Sequence, residues 1–183
     1  MGVSYATYEQ VALEDGDATW EYVCGQLREK PGMTQEHNRA ASLLAYFIQS
    51  QLPIERFEVL HNAGRLRTDA GNAFVPDVLV VPMTQTASQH GTGGLETYAE
   101  AVPFVAETWS KSTGSYDSRT KLPEYQARGD LVIWLVHPYE KTVRSFERQA
   151  DGSYQERTHT DGQVSIPSLP GVSVDLDRLF ANL

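Results

Sequence analysis

The six-residue apolar run Leu131-Val132-Ile133-Trp134-Leu135-Val136 is the strongest strand signal in the chain. It is bounded by Gly129-Asp130 on one side and His137-Pro138 on the other. A run of that length is far short of the roughly twenty residues needed to span a bilayer, so it must be buried within the protein. Val143-Arg144-Ser145-Phe146-Glu147-Arg148 alternates in polarity and suits a strand paired with it. Val78-Leu79-Val80-Val81, directly after Pro76-Asp77, is a second continuous apolar strand, and Val102 to Trp109 a third.

Helical signals lie between these strands. Thr34 is a suitable N-cap for a helix running to about Gln51. Ala41, Leu44, Ala45, Ile48 and Leu52 recur at three- and four-residue spacing, and Pro53 stops the pattern. A second helix is expected over Ser118–Arg128, with Gly129 as its C-terminal cap. Glu21 to Glu29 reads as a hairpin turning near Gly25. Phe57–Leu60 and Arg65–Thr68 read as two strands around Asn62-Ala63-Gly64. Tyr154–Thr158 and Gln163–Ile166 read as a hairpin around Asp161-Gly162. Residues 84–97 are expected to be a polar loop carrying four glycine or serine breakers, Ser88, Gly91, Gly93 and Gly94. The order helix, strands, helix, strands predicts an α/β fold with a mixed sheet flanked by helices.

At 183 residues the chain is the size of one domain, and residues 1–20 are expected to be peripheral. Its hydrophobic content of 40 % supports a core without staples. Cys24 is the single cysteine, which excludes an internal disulfide and a cysteine-rich zinc site. That suits a reducing cytoplasm. The N-terminus has neither a basic start nor an apolar run, so no signal peptide is expected. The net charge of −9 argues against strong non-specific nucleic-acid binding, which draws on Lys and Arg. It leaves room for metal-binding carboxylates and a local basic patch.

Three ionisable residues stand out beside apolar runs: Asp77, Glu107 and Lys121. A divalent metal can polarise a phosphoryl oxygen and generate a nucleophilic hydroxide for phosphodiester hydrolysis. Mg²⁺ takes oxygen ligands, often one or two carboxylates with waters and substrate phosphate. Asp77 and Glu107 can supply the carboxylates, and the Thr108 backbone carbonyl is a possible third ligand. A nearby lysine can stabilise developing negative charge or orient water.

The segments Pro76-Asp77, Glu107-Thr108-Trp109-Ser110-Lys111-Ser112-Thr113, Asp117…Lys121…Tyr125 and Trp134-Leu135-Val136-His137-Pro138 occur in that order. Together they resemble the Uma-two family of restriction endonucleases, within the PD-(D/E)XK nuclease superfamily. Glu21-Tyr22-Val23, His37 and the closing Ser168-Leu169-Pro170-Gly171 extend the likeness to about residues 20–180. The resemblance implies a restriction-endonuclease-like fold. It also implies a Mg²⁺- or Mn²⁺-dependent endonuclease acting on nucleic acid, with DNA the expected substrate, and a homodimer.

The chain departs from the superfamily pattern in one important place. The lysine expected two residues after the acid is replaced by Trp109. Lys121 is the preferred substitute because Asp117, Lys121 and Tyr125 share a helix face, and Lys111 is its competitor. His137 and Ile133 stand where the family has aspartate and tyrosine.

Other readings stay beside these. Asp77 can be a turn residue, and Lys121 a solvated partner of Asp117. His37 is a ligand, a hydrogen bonder or an ordinary first-turn residue. Glu21 reads first as solvent-facing. Tyr125 and Trp134 read as core, Trp109 as packing against the helix, and Lys111, Arg119 and Arg128 as a solvated face. Cys24 has no positioned base nearby. A second function class is a nuclease-fold binding or scaffold protein without turnover.

Overall fold

The computed structural model describes residues 2–181 and 183. In chain order the helices are α1 (Tyr5–Glu14), α2 (Gln35–Gln49), α3 (Met83–Thr86), α4 (Gly114–Tyr116), α5 (Leu122–Arg128) and α6 (Leu176–Leu179). The strands are β1 (Trp20–Val23), β2 (Gln26–Glu29), β3 (Phe57–His61), β4 (Leu66–Arg67), β5 (Ala73–Phe74) and β6 (Val78–Pro82). They continue with β7 (Phe104–Thr108), β8 (Val132–His137), β9 (Thr142–Arg148), β10 (Tyr154–His159), β11 (Gln163–Ser165) and β12 (Ser173–Asp175).

The main sheet has six strands in the order β10-β9-β8-β7-β6-β3. Its one parallel pair is β7 with β8, and every other neighbour is antiparallel. A parallel pair needs a crossover, which α4 and α5 provide. The expected mixed sheet flanked by helices is therefore what forms.

Alternation along the strands divides the core in two. Val78, Val80, Phe104, Ala106, Val132 and Trp134 face one way and pack with Ala41, Leu44 and Ile48 of α2. Leu79, Val81, Val105 and Ile133 face the other way and pack with Leu122 and Tyr125. The expected apolar stripe of α2 is its buried face, and the Thr34 hydroxyl caps the helix by accepting from His37 N.

The hairpin expected around Asp161-Gly162 does not form, and the two strands expected around Asn62-Ala63-Gly64 do not pair with each other. β3 pairs with β6 in the main sheet, while β4 pairs with β5 in a separate four-stranded sheet ordered β2-β1-β5-β4. Between them Asn62 and Gly64 both take positive φ, of 50° and 70°, and swing the chain from one sheet to the other. Likewise β10 pairs with β9, and β11 pairs with β12. β3 thus finds its partner far along the chain, whereas β10 and β11 each pair with the strand next to them in sequence on the other side. The segment expected to be loop over residues 84–97 opens with α3 and a 3-10 turn at Ala87–Gln89. The N-terminal segment forms α1, where Tyr8 is fully buried and its hydroxyl accepts from Arg65 Nε at 3.0 Å.

The predicted second helix starts earlier than expected and is not uniform. It begins with α4 and passes through a π-helical turn at Asp117–Lys121 before entering α5. Leu122 N bonds to Asp117 O, five residues back. Pro123, in the first turn of α5, has no N–H to give to a carbonyl in the turn before it, which favours the widened turn.

Candidate active site

Register brings the two predicted carboxylates together. β6 and β7 pair Val78 with Ala106 and Leu79 with Val105. One more step along the ladder sets Asp77 opposite Glu107, on the sheet face that carries α5. Directly opposed residues have Cβ atoms about 5 Å apart. Thr108 N closes the pair by donating to Asp77 Oδ2 at 2.7 Å.

The helical crossover lays Lys121 over the same spot. Its Nζ lies 2.8 Å from Glu21 Oε1, 3.1 Å from Glu107 Oε1 and 3.6 Å from Asp117 Oδ1. Tyr125, one turn further on, donates its hydroxyl to Glu107 Oε1 at 2.6 Å. Asp117, Lys121 and Tyr125 thus share one face, as their spacing predicts. The three residues singled out from sequence, Asp77, Glu107 and Lys121, line one small cavity of about 10 Å³. That is room for about one water.

The second sheet supplies the other wall. Lys30, just past β2, reaches Asp77 Oδ1 at 2.8 Å, Asn62 Oδ1 at 3.0 Å and the Val75 carbonyl at 3.0 Å. Glu21 on β1 accepts from Val75 N at 2.9 Å and from the Tyr116 hydroxyl at 3.0 Å. From the start of α2, His37 Nε2 lies 3.0 Å from Asp77 Oδ2. Glu21, His37, Asp77, Glu107, Asp117 and Lys121 are all no more than 4 % exposed.

Burying so many charges makes the electrostatics unbalanced. Four carboxylates (Glu21, Asp77, Glu107, Asp117) face two ammonium groups (Lys30, Lys121) and the Arg28 guanidinium around the cavity, a formal excess of one negative charge. Burial pulls the Asp77 carboxyl upward, but Lys30, His37 and Lys121 outweigh it and hold the group well below the usual carboxylate range. Glu107 goes the other way. Burial pushes it up to about 8, against the pull of Lys121 and with the repulsion of Asp117 and Asp77. Asp117 is raised for the same leading reason. Burial pulls Lys121 down, yet Glu107, Glu21 and Asp117 more than reverse this, so it stays a cation. One lysine cannot neutralise three carboxylates at once, and burial with the repulsion of Asp117 and Asp77 leaves Glu107 the one that holds a proton most readily.

Several expectations are revised by these contacts. Glu21 does not face solvent but is an inner member of the cluster. His37 is not an ordinary first-turn residue, since it holds Asp77. Lys111 is exposed, whereas Lys121 is engaged with the carboxylates. Arg119 is exposed as expected, but Arg128 is not merely solvated. It pairs with Asp130 at 3.1 Å and donates to the carbonyls of Tyr98 and Ala99. Trp109 packs over Gly114 and stacks on His137, with ring centres 4.3 Å apart. Lys30 was missed. It precedes Pro31-Gly32 and reads locally as a turn residue, and its partner Asp77 is 47 residues away. Glu21 did carry a signal, as a lone acid between Trp20 and Tyr22 in a strand.

The donor set fits a hard divalent cation. Glu107 Oε1 takes the bonds from Lys121 and Tyr125, and Oε2 has no donor among the described residues. Oxygen ligands with a net negative charge suit Mg²⁺ or Mn²⁺. Among the described residues no group of three or more His, Cys, Asp or Glu is arranged as a ready metal-binding set. Lys30 and Lys121 each occupy one carboxylate oxygen of the central pair. The set proposed from sequence needs only the two carboxylates of Asp77 and Glu107 and the carbonyl of Thr108. No described helix is long and apolar enough to cross a membrane.

No curated protein matches the chain. A crystal structure at 1.96 Å of a putative nuclease belonging to DUF820, from Anabaena variabilis ATCC 29413, superposes with a TM-score of 0.75. The two share 19 % identity over 94 % of this chain and 96 % of that one, a likeness of fold. The model of the Uma2 family, described as "putative restriction endonuclease", matches residues 5–177, and with nearly the whole chain covered this protein belongs to that family.

Proposed function

We propose that the chain is a metal-dependent endonuclease that hydrolyses phosphodiester bonds of DNA. The observation that carries this reading is the buried cluster in which four carboxylates outnumber two lysines and an arginine beside an open carboxylate oxygen. Family membership and the nuclease-like fold support it. Asp77, Glu107 and the Thr108 carbonyl would hold Mg²⁺ or Mn²⁺. When bound, such an ion polarises the phosphoryl oxygen and lowers the pKa of water.

The protein's own groups have separate tasks. Lys30, His37 and the Thr108 amide fix both oxygens of Asp77, so the carboxylate is oriented before substrate arrives. Tyr125 fixes Glu107 in the same way. Lys121, held among Glu21, Glu107 and Asp117, keeps a positive charge where the phosphoryl group becomes more negative. The reading further takes two copies acting as a cytoplasmic homodimer on the antiparallel strands of a duplex, which light scattering would check.

The direct test is cleavage of plasmid DNA by the purified chain with Mg²⁺ or Mn²⁺ and with chelator. Metal-dependent nicking that vanishes in Asp77→Ala supports the reading. One observation favours a binding protein without turnover: both central carboxylates are already paired with lysines. Absence of cleavage of DNA and RNA with either metal would favour that alternative.

A further inference from the structure

A second cavity, of about 360 Å³, opens beside the carboxylate cluster. Glu107 and Asp117 line both cavities, so the two are neighbours across a shared wall. We propose that this cavity is a nucleobase pocket, holding the base of a nucleotide that has swung out of its stack next to the phosphate at the cluster. The proposal rests on the nuclease reading and names a subsite for it.

Size, wall and charge point the same way. The volume lies within the ~300–1,000 Å³ of ordinary small-ligand sites, far above the room for one water at the cluster itself. Trp109 and His137 form one wall, stacked 4.3 Å apart and tilted by 23°. Both are partly exposed. Neither belongs to the buried core clusters, and the exposed outer face of such an aromatic pair is a surface on which bases of any sequence stack. Gly114 fixes this wall in place, because a Cβ there would collide with the Trp109 ring. Glu107, Asp117 and Glu140 against the single Arg144 make the lining acidic. Such a lining accepts an uncharged base with amino donors, while under the nuclease reading the phosphate would be drawn to the cation that the cluster would hold. Extrusion costs least for an unpaired base, so the pocket favours single-stranded or mismatched sites over paired ones.

The test uses the full chain with Ca²⁺, a hard oxygen-seeking cation, and three probes. They are a single-stranded DNA pentamer, the same pentamer with every base removed, and a fully paired hairpin. Binding is read by tryptophan fluorescence and by anisotropy of a labelled pentamer. The expected result is quenching by the pentamer, with the base-free strand and the hairpin each bound roughly tenfold more weakly. Quenching should be absent in Trp109→Leu, which leaves Trp20 and Trp134 as controls. Thr142→Phe, which fills the cavity from the opposite strand, should weaken pentamer binding as much and guards against a folding defect at Trp109. Equal binding of the base-free strand, or unchanged binding by Thr142→Phe, would overturn the proposal. Parallel cleavage with Mn²⁺ separates the two readings. Quenching without cleavage sinks the nuclease reading and keeps the pocket; cleavage without quenching sinks the pocket alone.

Discussion

Lys121 Nζ donates to Glu107 Oε1 at 3.1 Å across 14 residues of sequence, from a helix to the strand before it. The superfamily's strand lysine is absent here, since Trp109 stands at that position. An ammonium group still reaches the acid, from the crossover instead of from the strand.

That relationship separates the tasks of three residues. Asp77→Ala and Glu107→Ala should abolish Mn²⁺ binding in calorimetry and abolish cleavage. Lys121→Ala should keep metal binding and lose on the order of 10²–10³ in rate, the usual loss for one charge-stabilising donor. Lys111→Ala, at an exposed position, should cleave like the parent. A dead Lys111→Ala with an active Lys121→Ala would mean that the wrong lysine has been chosen.

Metal binding should release protons. Glu107 is pushed up to about 8, so it carries a proton at pH 7 that a cation must displace. Affinity for Mn²⁺ should therefore rise as pH increases from 6 to 8 and level off above. Calorimetry in two buffers of different ionisation enthalpy checks this directly. Identical apparent heats in the two would count against it.

The same shift gives the metal-free protein a pH dependence. Glu107 has a folded pKa above its unfolded value near 4.5, so the folded state binds more protons between the two. Its contribution to stability is complete below about 4.5 and is lost as pH rises through about 8. Asp77 has the opposite sign, and its contribution is lost as pH falls below the ordinary value of 3.8. Denaturant midpoints of Glu107→Gln and the parent should accordingly converge at low pH and separate toward pH 8, with the variant the more stable there.

Lys30→Met should be costly even though Lys30 is not a predicted catalytic group. It leaves the buried Asp77 Oδ1 without its cation. Removing one partner of a buried pair typically costs about 3–5 kcal/mol. Urea unfolding would show the loss, and a change under 1 kcal/mol would argue that solvent replaces the ammonium.

Gly114→Ala tests packing at the same site. The added Cβ would meet Trp109 Nε1, Cδ1 and Cε2. Overpacking of this kind costs about 1–3 kcal/mol, which thermal melts would reveal. Weakened stacking of Trp109 on His137 should appear in the near-ultraviolet circular dichroism.

Much of this was legible because strand signals are local. Val78–Val81 and Leu131–Val136 are continuous apolar runs, and Asp77 before the first of them and Glu107 at the end of β7 stood out as acids beside apolar residues. Pairing was less legible. Nothing in Phe57–Leu60 or Tyr154–Thr158 says which of several edges each strand will join: the first joined the distant β6, and the second the preceding β9 instead of the following β11. The far wall of the site was hidden for the same reason. Lys30 and Glu21 belong to a sheet whose docking depends on contacts tens of residues away, such as Val75 N to Glu21. His37 was visible as a candidate, but its partner was not.

The π-helical turn at Asp117–Lys121 has a consequence for chain length. Each residue of an α-helix advances the azimuth by about 100°. The widened turn absorbs one residue that a regular helix would convert into a rotation of that size, so Asp117 and Tyr125 keep a common face. Deleting one residue from it, such as Thr120, would turn the bond from Leu122 N to Asp117 O into an ordinary four-residue one and leave the segments on either side in place. A deletion within regular α5 ahead of Tyr125, such as Glu124, would instead carry a whole flank around the axis and part Tyr125 from the lysine's neighbours.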